Sequence, residues 1–265
     1  MSEQRFSQSL ERGLEVLECF SPKHPVRGVN EIAHELGMSR PTTHRYMSTL
    51  LELGYLQQQK NRKYMLTLAV TNLGMSAMNS MSLPEHAARH MRELREESRL
   101  TIVLAVLDGP RALCIERVGG SRPGQRAIDQ HLQVGALLDL HSSALGKVLL
   151  AYLAPEQQKA LSGQLELSKQ GPNTITGKRV FAAELTRVRE EGLASDDQES
   201  SPDIQALAAP VLDEYGEVVA AIGLHGHIQA ISLEQLRASL SPHLLTAAAR
   251  ISARLGYRRP DQRNN

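Results

Sequence analysis

The chain has 265 residues, which is long enough for two domains with one sizeable core. Thirty basic and 29 acidic residues leave a formal net charge of +1, which excludes a uniformly basic coat for nucleic acid. The sequence has neither an apolar run long enough to span a membrane nor a signal-type N-terminus, so we expect a cytoplasmic protein with no membrane partner. Cys19 and Cys114 are isolated within apolar patterns, which indicates buried free thiols.

Residues 29–56 have the pattern of two short helices joined by a tight turn, after an opening helix that carries Leu10, Leu14 and Leu17 on one side. Asn30 is the predicted N-cap of the first short helix, and Gly37 ends it because glycine accepts a left-handed conformation. The second short helix is predicted to have Ser39 as its N-cap and Pro41 in its first turn. Its buried face is predicted at spacings of four and three, at Thr43, Met47 and Leu50.

The opposite face of this second helix carries donors and short polar groups that can reach phosphates and base edges in a major groove. We expect its N-terminal end to lie deepest in the groove. The candidate DNA contacts from this part of the chain are Ser39, Arg40, Pro41, Thr42, His44, Arg45 and Ser48.

A polar hairpin is predicted after Gly54, with strands at 55–56 and 64–66. Its tip carries Lys60, Arg62 and Lys63, as expected of a wing that touches the DNA backbone. A solvated turn is the alternative for such a charge run, and adjacency to the two-helix unit favours the wing. Nine basic and seven acidic residues give residues 1–67 a charge of only +2, so placement must create the DNA-facing surface, to which Arg27 is also assigned.

The uncharged stretch at 66–83 is too apolar for an exposed linker, so we predict a helix from about Leu68 to Ser80. It would pack on the chain's own second domain or on the same helix of another subunit. Beyond it, a helix from Pro84 to about Ser98 is followed by strands and helices in alternation with hairpins, which predicts an α+β fold with a mainly antiparallel sheet.

The elements predicted for this second part include one hairpin around Asp108–Gly109 and another formed by 206–212 and 218–224. An extended stretch is predicted near 126–133. The predicted helices cover 142–153, 155–161, 179–191 and 232–255.

The order of these elements and five of its segments resemble the IclR family of bacterial transcriptional regulators. The segments are QSLERGLEVLECF, the two-helix unit, HSSALGKVLLA, GLASDDQES and AAPVLDEYGEVVAAIGLHG. The resemblance implies a winged helix-turn-helix DNA-binding domain at 1–67, an interdomain and dimerisation helix at 68–83, a GAF-like effector-binding domain at 84–258 and a polar tail at 259–265.

An anion seat is predicted at the start of the helix in HSSALGKVLLA. Ser142 or Ser143 can cap this helix, and the amides of residues 144–146 would then point outward near Lys147. Free amides at a helix N-terminus attract carboxylates. An ordinary capped helix with no ligand is the alternative.

The resemblance implies an effector pocket built from this helix start, an acidic segment and the last two strands. The corresponding residues are Ala144, Leu145, Asp196, Ala206, Gly223 and His225, and the predicted anion seat adds Ser143 and Gly146 to the candidate effector contacts. Family members that bind very small keto acids have small hydroxyl residues where this chain has Gly223 and His225, and glycine in place of Ala144, so we expect a different ligand. His225 is either a ligand contact or a buried structural histidine.

Neither a metal nor a cofactor is expected. The pairs His86/His90 and His225/His227 lack a third ligand at metal-binding spacing. Asp196, Asp197 and Glu199 could indicate acid/base catalysis. They are predicted to lie in a loop after a helix, however, where acidic side chains commonly cap backbone amides or contact solvent. The sequence contains no nucleophile elbow, phosphate loop or dinucleotide fingerprint.

We therefore predict a transcriptional regulator that binds double-stranded operator DNA as a homodimer or homotetramer. Its effector would be an aromatic acid, a keto acid or a related carboxylate. An enzyme acting on a small carboxylate or amide, with the helix-turn-helix as a partner-binding module, is the alternative. Turnover distinguishes the two, because a sensor returns its ligand unchanged.

Overall fold

A computed structural model describes residues 6–21, 23–79 and 82–258. The predicted helix end at Ser80 and the predicted polar tail at 259–265 lie outside these residues. The chain divides into two compact units, and the division falls between Met81 and Ser82.

The first unit is a winged helix-turn-helix, as predicted. Its elements are α1 (Gln8–Glu18), α2 (Val29–Glu35), α3 (Arg40–Glu52), β1 (Leu56–Gln58), β2 (Tyr64–Leu66) and α4 (Ala69–Asn79). A small core joins the three helices to the hairpin through Val16, Phe20, Ile32, Met47, Leu50, Leu56 and Tyr64.

The predicted ends of the two helices in this segment are largely confirmed. Gly37 has φ +61° and ends α2, and Ser39 caps α3 by accepting the Thr42 amide at 3.4 Å. The predicted N-cap Asn30 is wrong, because α2 already begins at Val29 behind Gly28. There, the Glu31 carboxylate accepts the Gly28 amide at 3.0 Å and so replaces the cap that Asn30 was expected to provide.

The hairpin strands β1 and β2 pair in antiparallel fashion, with Leu56 opposite Leu66. The backbone of Arg27 also pairs with Tyr64 on the other side of β2, as a single-residue bridge with N–O distances of 2.9 and 2.8 Å. This bridge fixes the hairpin to the segment that leads into α2.

Two helices of this unit present apolar side chains to solvent in the single chain. On α1, Leu10 is 65% and Leu14 is 52% exposed, whereas Val16 faces the core. Near the start of α4, Leu68 is 82% and Leu73 is 59% exposed. Large apolar side chains this exposed, with Leu10 and Leu14 one helical turn apart on α1, are typical of an interface surface.

The second unit contains a six-stranded, fully antiparallel sheet in the order β5-β4-β3-β8-β7-β6, which confirms the predicted fold class. The strands are β3 (Thr101–Asp108), β4 (Arg111–Val118), β5 (Leu137–Asp139), β6 (Ala194–Asp197), β7 (Ile204–Leu212) and β8 (Val218–His227). The two predicted hairpins are β3–β4 and β7–β8.

Helices cover both faces of this sheet, which explains why its central strands are apolar at nearly every position. One face packs against α5 (Leu83–Ser98) and α11 (Ser241–Arg254), and the short α10 (Leu233–Gln235) precedes α11. The other face packs against α6, α7 and α9. The helices on or near this second face are α6 (Gln125–His131), α7 (Ala144–Ala151), α8 (Pro155–Gln164) and α9 (Lys178–Glu191).

Three predictions about this unit need correction. The stretch near 126–133 is the helix α6 rather than extended, because Ile128 and Leu132, four residues apart, both turn into the core. The acidic segment predicted as a loop forms the edge strand β6, which pairs with β7. The long C-terminal helix is interrupted by a π-helical turn at Leu236–Leu240, just before Pro242, whose nitrogen has no hydrogen to donate.

Both cysteines are buried free thiols, as predicted. Burial raises the pKa of Cys114 to about 12, so the thiol stays protonated and unreactive. Within the described ranges, every helix is too short or too polar to cross a membrane.

Candidate functional site

The exposed face of α3 gathers the central candidates for DNA contact. Arg40, His44 and Arg45 are exposed there, opposite the buried Thr43 and Met47. The Arg45 guanidinium lies 6.0 Å from the centre of the Tyr46 ring. The His44 ring nitrogen Nδ1 lies 3.4 Å from Ser48 Oγ. The geometry is that of a helix able to present a polar face to a groove.

The remaining candidates divide into free and engaged side chains. Lys60 and Arg62 are exposed at the hairpin tip. Lys63 makes an ion pair with Glu31 at 2.8 Å. Arg27 is 13% exposed, pairs with Glu35 and donates to the Cys19 carbonyl at 3.0 Å, so its side chain serves the unit's own packing. Pro41 is exposed in the first turn of α3, where Ser39 and Thr42 hydroxyls lie 2.8 Å apart.

A cavity of about 290 Å³ lies in the second unit between the start of α7, the edge strand β6 and the sheet. It brings together three of the predicted effector contacts, which are Ser143, Asp196 and His225. Its other lining residues are His131, Leu132, Leu137, Leu138, Asp139, Ser142, Gln170, Ser200, Ser201, Pro202 and Ile204.

Strand register explains why these residues meet. Asp196 on β6 lies opposite Ala206 on β7, Ala206 lies opposite His225 on β8, and His225 lies opposite Thr101 on β3. Residues opposite each other on neighbouring strands point to the same face. The small side chain of Ala206 thus separates a carboxylate from an imidazole and leaves space above the sheet.

The start of α7 offers fewer free backbone amides to a ligand than the sequence predicted. Ser143, not Ser142, is the N-cap of α7: its hydroxyl accepts the Gly146 amide at 3.1 Å. The Gly146 amide is therefore engaged, contrary to the prediction that it is free. Neither the Ala144 nor the Leu145 amide donates to another described residue, as is usual for the first turn of a helix.

Lys147 does not lie beside the predicted anion seat. Its side chain is fully buried, and Nζ lies 2.6 Å from Glu199 Oε1 and 3.0 Å from Glu184 Oε1. The position fourth in the helix turns the lysine away from the first-turn amides and into the core. The side chains of Ala144, Leu145 and Ala206 are core residues as well, and a Cβ at Gly223 would lie 2.9 Å from the His225 ring.

Two buried polar atoms on the cavity have no partner among the described residues. They are the hydroxyl of Ser142 and Nδ1 of His225. Burial lowers the pKa of His225 to about 4, so the ring is neutral near pH 7. Unpartnered buried polar atoms are uncommon in native proteins, and both residues line a cavity where a ligand could satisfy them.

The Asp196 carboxylate accepts hydrogen bonds from the Glu199 amide at 2.8 Å, the Ser200 amide at 3.2 Å and the Ser200 hydroxyl. Burial nevertheless raises its pKa to about 6. Because Asp196 closes a turn in its own chain, its position supports the cavity wall rather than a proton-transfer site.

The sequence did not predict Ser142 as a free hydroxyl, nor the apolar lining from 132, 137, 138 and 204. The only signal for Ser142 was its place as one of the two candidate caps of the helix. Within the described part of the chain, no cluster of three histidine, cysteine or acidic side chains could hold a metal ion.

A winged helix-turn-helix in one unit and a cavity with unsatisfied polar groups in the other define a ligand-responsive DNA-binding regulator. Family comparison agrees. Residues 9–60 match the IclR helix-turn-helix domain, and residues 75–253 match the bacterial transcriptional regulator IclR C-terminal domain. The chain belongs to the IclR family of bacterial transcriptional regulators.

Similar proteins span nearly the whole chain. The HTH-type transcriptional regulator KdgR of Escherichia coli is 31% identical over 87% of this chain and 86% of its own. The glycerol operon regulatory protein of Streptomyces coelicolor is 30% identical over 94% and 96%. The crystal structure of Thermotoga maritima IclR is 28% identical and has a TM-score of 0.69, with 94% of this chain and 99% of that chain covered.

The protein is thus a sequence-specific DNA-binding transcriptional regulator whose C-terminal domain binds a small organic effector that modulates operator binding. Its relatives are named as regulators, and it is a regulator rather than an enzyme.

Proposed function

We propose that the cavity next to α7 is the effector site and that Ser142, Ser143 and His225 contact the effector. One observation carries this proposal: the buried Ser142 hydroxyl and His225 Nδ1 both lack partners among the described residues, and both line the same cavity. The start of α7 adjoins them, with its free first-turn amides and the positive end of the helix dipole. The Ser142 hydroxyl and the amides of Ala144 and Leu145 are donors that suit a carboxylate, whereas the Ser143 hydroxyl already donates to the Asp139 carbonyl at 2.6 Å.

We further propose an aromatic or branched aliphatic monocarboxylate. Among the described residues, neither lysine nor arginine lines the cavity, so a second carboxylate would have no lysine or arginine to pair with. The apolar wall, formed by leucines and Ile204, suits a ring or branched chain better than a very small keto acid. A structural homologue from Microbacterium hydrocarbonoxydans, 23% identical with a TM-score of 0.77, was crystallised with 4-hydroxybenzoate, which is a convenient probe.

Thermal unfolding of the full-length protein tests this class. The panel is 4-hydroxybenzoate, benzoate, pyruvate, succinate and the uncharged 4-hydroxybenzyl alcohol. We expect a saturable rise in the unfolding temperature with a ring monocarboxylate, since ligand that binds only the folded state stabilises it. Ser142→Ala should weaken this shift. Ser162→Ala is the matched control, because Ser162 also has a buried hydroxyl with no partner among the described residues but lines no part of this cavity.

An equal shift with the uncharged alcohol would contradict the carboxylate assignment. An undiminished shift in Ser142→Ala would remove that hydroxyl from the site. A response to pyruvate and to no larger acid would replace the proposed class with a small keto acid.

The DNA-bound form is proposed to be a homodimer or homotetramer on double-stranded operator DNA, in the cytoplasm where the chromosome lies. Support comes from the exposed apolar side chains on α1 and α4, since a second copy of the same surface would cover them. Two winged-helix units per dimer would bind DNA together, which would compensate for the weak attraction to DNA that the low net charge of each unit provides.

Arg45→Ala is expected to weaken operator binding by about 1–3 kcal/mol and to relax sequence preference at one position of the half-site, if Arg45 contacts a base. Binding to the operator and to scrambled DNA is measured by fluorescence anisotropy. Arg12→Ala is the control, since Arg12 pairs with Glu15 on α1 and is no candidate for base reading. If the variant lost affinity equally for both DNAs, Arg45 would be a phosphate contact.

Neutralising Lys60 and Arg62 together should weaken binding to any sequence. The slope of log affinity against log salt should flatten by about 0.9 for each phosphate that the wing no longer neutralises. Lys63→Ala provides the comparison, because Lys63 already pairs with Glu31 and should change the slope less. An unchanged slope in the double variant would place the wing away from the phosphates.

A further inference from the structure

A buried ion pair lies directly behind the cavity without lining it. Helix α7 is buried at all eight positions, and seven of its residues are apolar or glycine, so Lys147 is the exception. Its ammonium meets Glu199 at 2.6 Å and Glu184 at 3.0 Å. Removing such charges from water commonly costs as much as their attraction returns, so stability alone does not explain the pair.

The pair joins two walls of the cavity. Ser142 and the N-cap Ser143, just before α7, form one wall. The segment 196–202 forms another through Asp196, Ser200, Ser201 and Pro202. Glu199 sits in the middle of this segment and turns away from the cavity towards Lys147. Its amide donates to the Asp196 carboxylate at 2.8 Å, so the residue that binds Lys147 is also hydrogen-bonded to the cavity wall.

A second segment holds the same wall from outside. The Thr174 hydroxyl donates to the Glu199 carbonyl at 2.6 Å, and the Asn173 amide group donates to the Asp197 carbonyl at 3.0 Å. Gly171 approaches so closely that a Cβ there would lie 2.1 Å from the Gln198 carbonyl oxygen. These contacts restrain the backbone of 196–202. Helix α7 packs against β6 at the start of this segment, and the ion pair of Lys147 adds the side-chain link from α7 to Glu199 beyond the strand.

We propose that the Lys147–Glu199 ion pair is the positioning element of the effector site, which fixes the segment 196–202 at a set distance from the start of α7. Lys147 and Glu199 act through their neighbours and do not contact the effector. This inference rests on the proposed function for its consequence, which is that effector affinity depends on a pair outside the cavity.

Hydrogen–deuterium exchange of the full-length protein without ligand is the first test. Lys147→Met combined with Glu199→Leu removes both charges and so avoids an unpaired buried ion, which a single variant would create. We expect the amides of 196–202 to exchange about tenfold faster, while those of β3 and the unfolding temperature stay as in the wild type. Glu184→Gln is the matched control: it removes the negative charge of the lysine's other partner, leaves the Glu199 contact and should keep wild-type exchange.

Wild-type exchange of 196–202 in the double variant would overturn the proposal. Faster exchange across the whole unit would also overturn it, because the pair would then serve general stability. Equally fast exchange in Glu184→Gln would assign the effect to buried charge rather than to the link with 196–202.

Calorimetric titration with 4-hydroxybenzoate is the second test, with binding about tenfold weaker expected in the double variant. Equal affinity in the double variant and the wild type would overturn the proposal. Failure of the wild type to bind this probe would count against the proposed effector class, and the exchange measurement would still decide whether the pair positions 196–202.

Discussion

Replacing Lys147 alone with methionine is expected to lower the free energy of unfolding of the second unit by about 3–5 kcal/mol at pH 8. Methionine fills much of the same space but leaves the carboxylates of Glu199 and Glu184 without their cation. Glu184 keeps its contact with Arg187 at 2.8 Å. Glu199 has no such substitute, and its Oε2 already lacks a partner among the described residues.

The loss should shrink at pH 5.5. Burial raises the pKa of Glu199 to about 7, and removal of Lys147 would raise this pKa further. A carboxyl whose pKa is higher in the folded than in the unfolded state makes stability fall as pH rises, so the variant should be relatively more stable in acid. Urea unfolding followed by circular dichroism at both pH values measures the difference.

Lys159→Met is the control for this experiment, because Lys159 is exposed on α8 and should contribute little at either pH. An equal loss in Lys147→Met at pH 8 and pH 5.5 would show that poorer packing, rather than an unpaired charge, causes the destabilisation.

His225→Gln is expected to remove an acid sensitivity of about 3 kcal/mol from the second unit. In the folded protein burial lowers the pKa of His225 from 6.5 to about 4. Between pH 6.5 and 4, His225 is protonated in the unfolded chain but neutral in the folded protein. The wild type therefore loses stability as pH falls through this range. Glutamine keeps a polar side chain at the cavity but does not titrate.

The measured quantity is the difference in free energy of unfolding between wild type and variant, from urea titrations at several pH values between 4 and 7.5. The raised pKa values of Asp196 and Glu199 act in the opposite direction, but they are present in both proteins and cancel in the difference. His131→Gln is the control, since His131 lies exposed at the cavity. A difference that did not change with pH would falsify the neutral, buried state of His225.

The architecture could be predicted wherever a local pattern decided it. Gly37, Ser39 and Pro41 marked the helix ends by their backbone chemistry, and Asp108–Gly109 marked a hairpin that the structure contains. The prediction failed where tertiary contacts decided. Residues 194–197 have little strand propensity and become a strand because β7 offers them hydrogen bonds.

The candidate site was predictable only in outline. The resemblance brought Ser143, Asp196 and His225 to one place, and strand register now explains their proximity. The partners of charged side chains were not predictable, because they come from residues distant in sequence: Lys147 and Glu199 are 52 positions apart. For the same reason, Arg27 looked like a free cation in the sequence but pairs with Glu35 within its own unit.

The lengths of the sheet's edge strands bear on how copies of this protein meet. The outer strands β5 and β6 have three and four residues, whereas the inner strands have eight to ten. An edge this short offers an incoming strand only a few backbone hydrogen bonds, and β6 also carries the partly exposed Asp197, whose charge disfavours pairing with another strand. The sheet edges are thereby poor sites for edge-to-edge aggregation at high concentration, which fits the proposal that copies associate through helical surfaces.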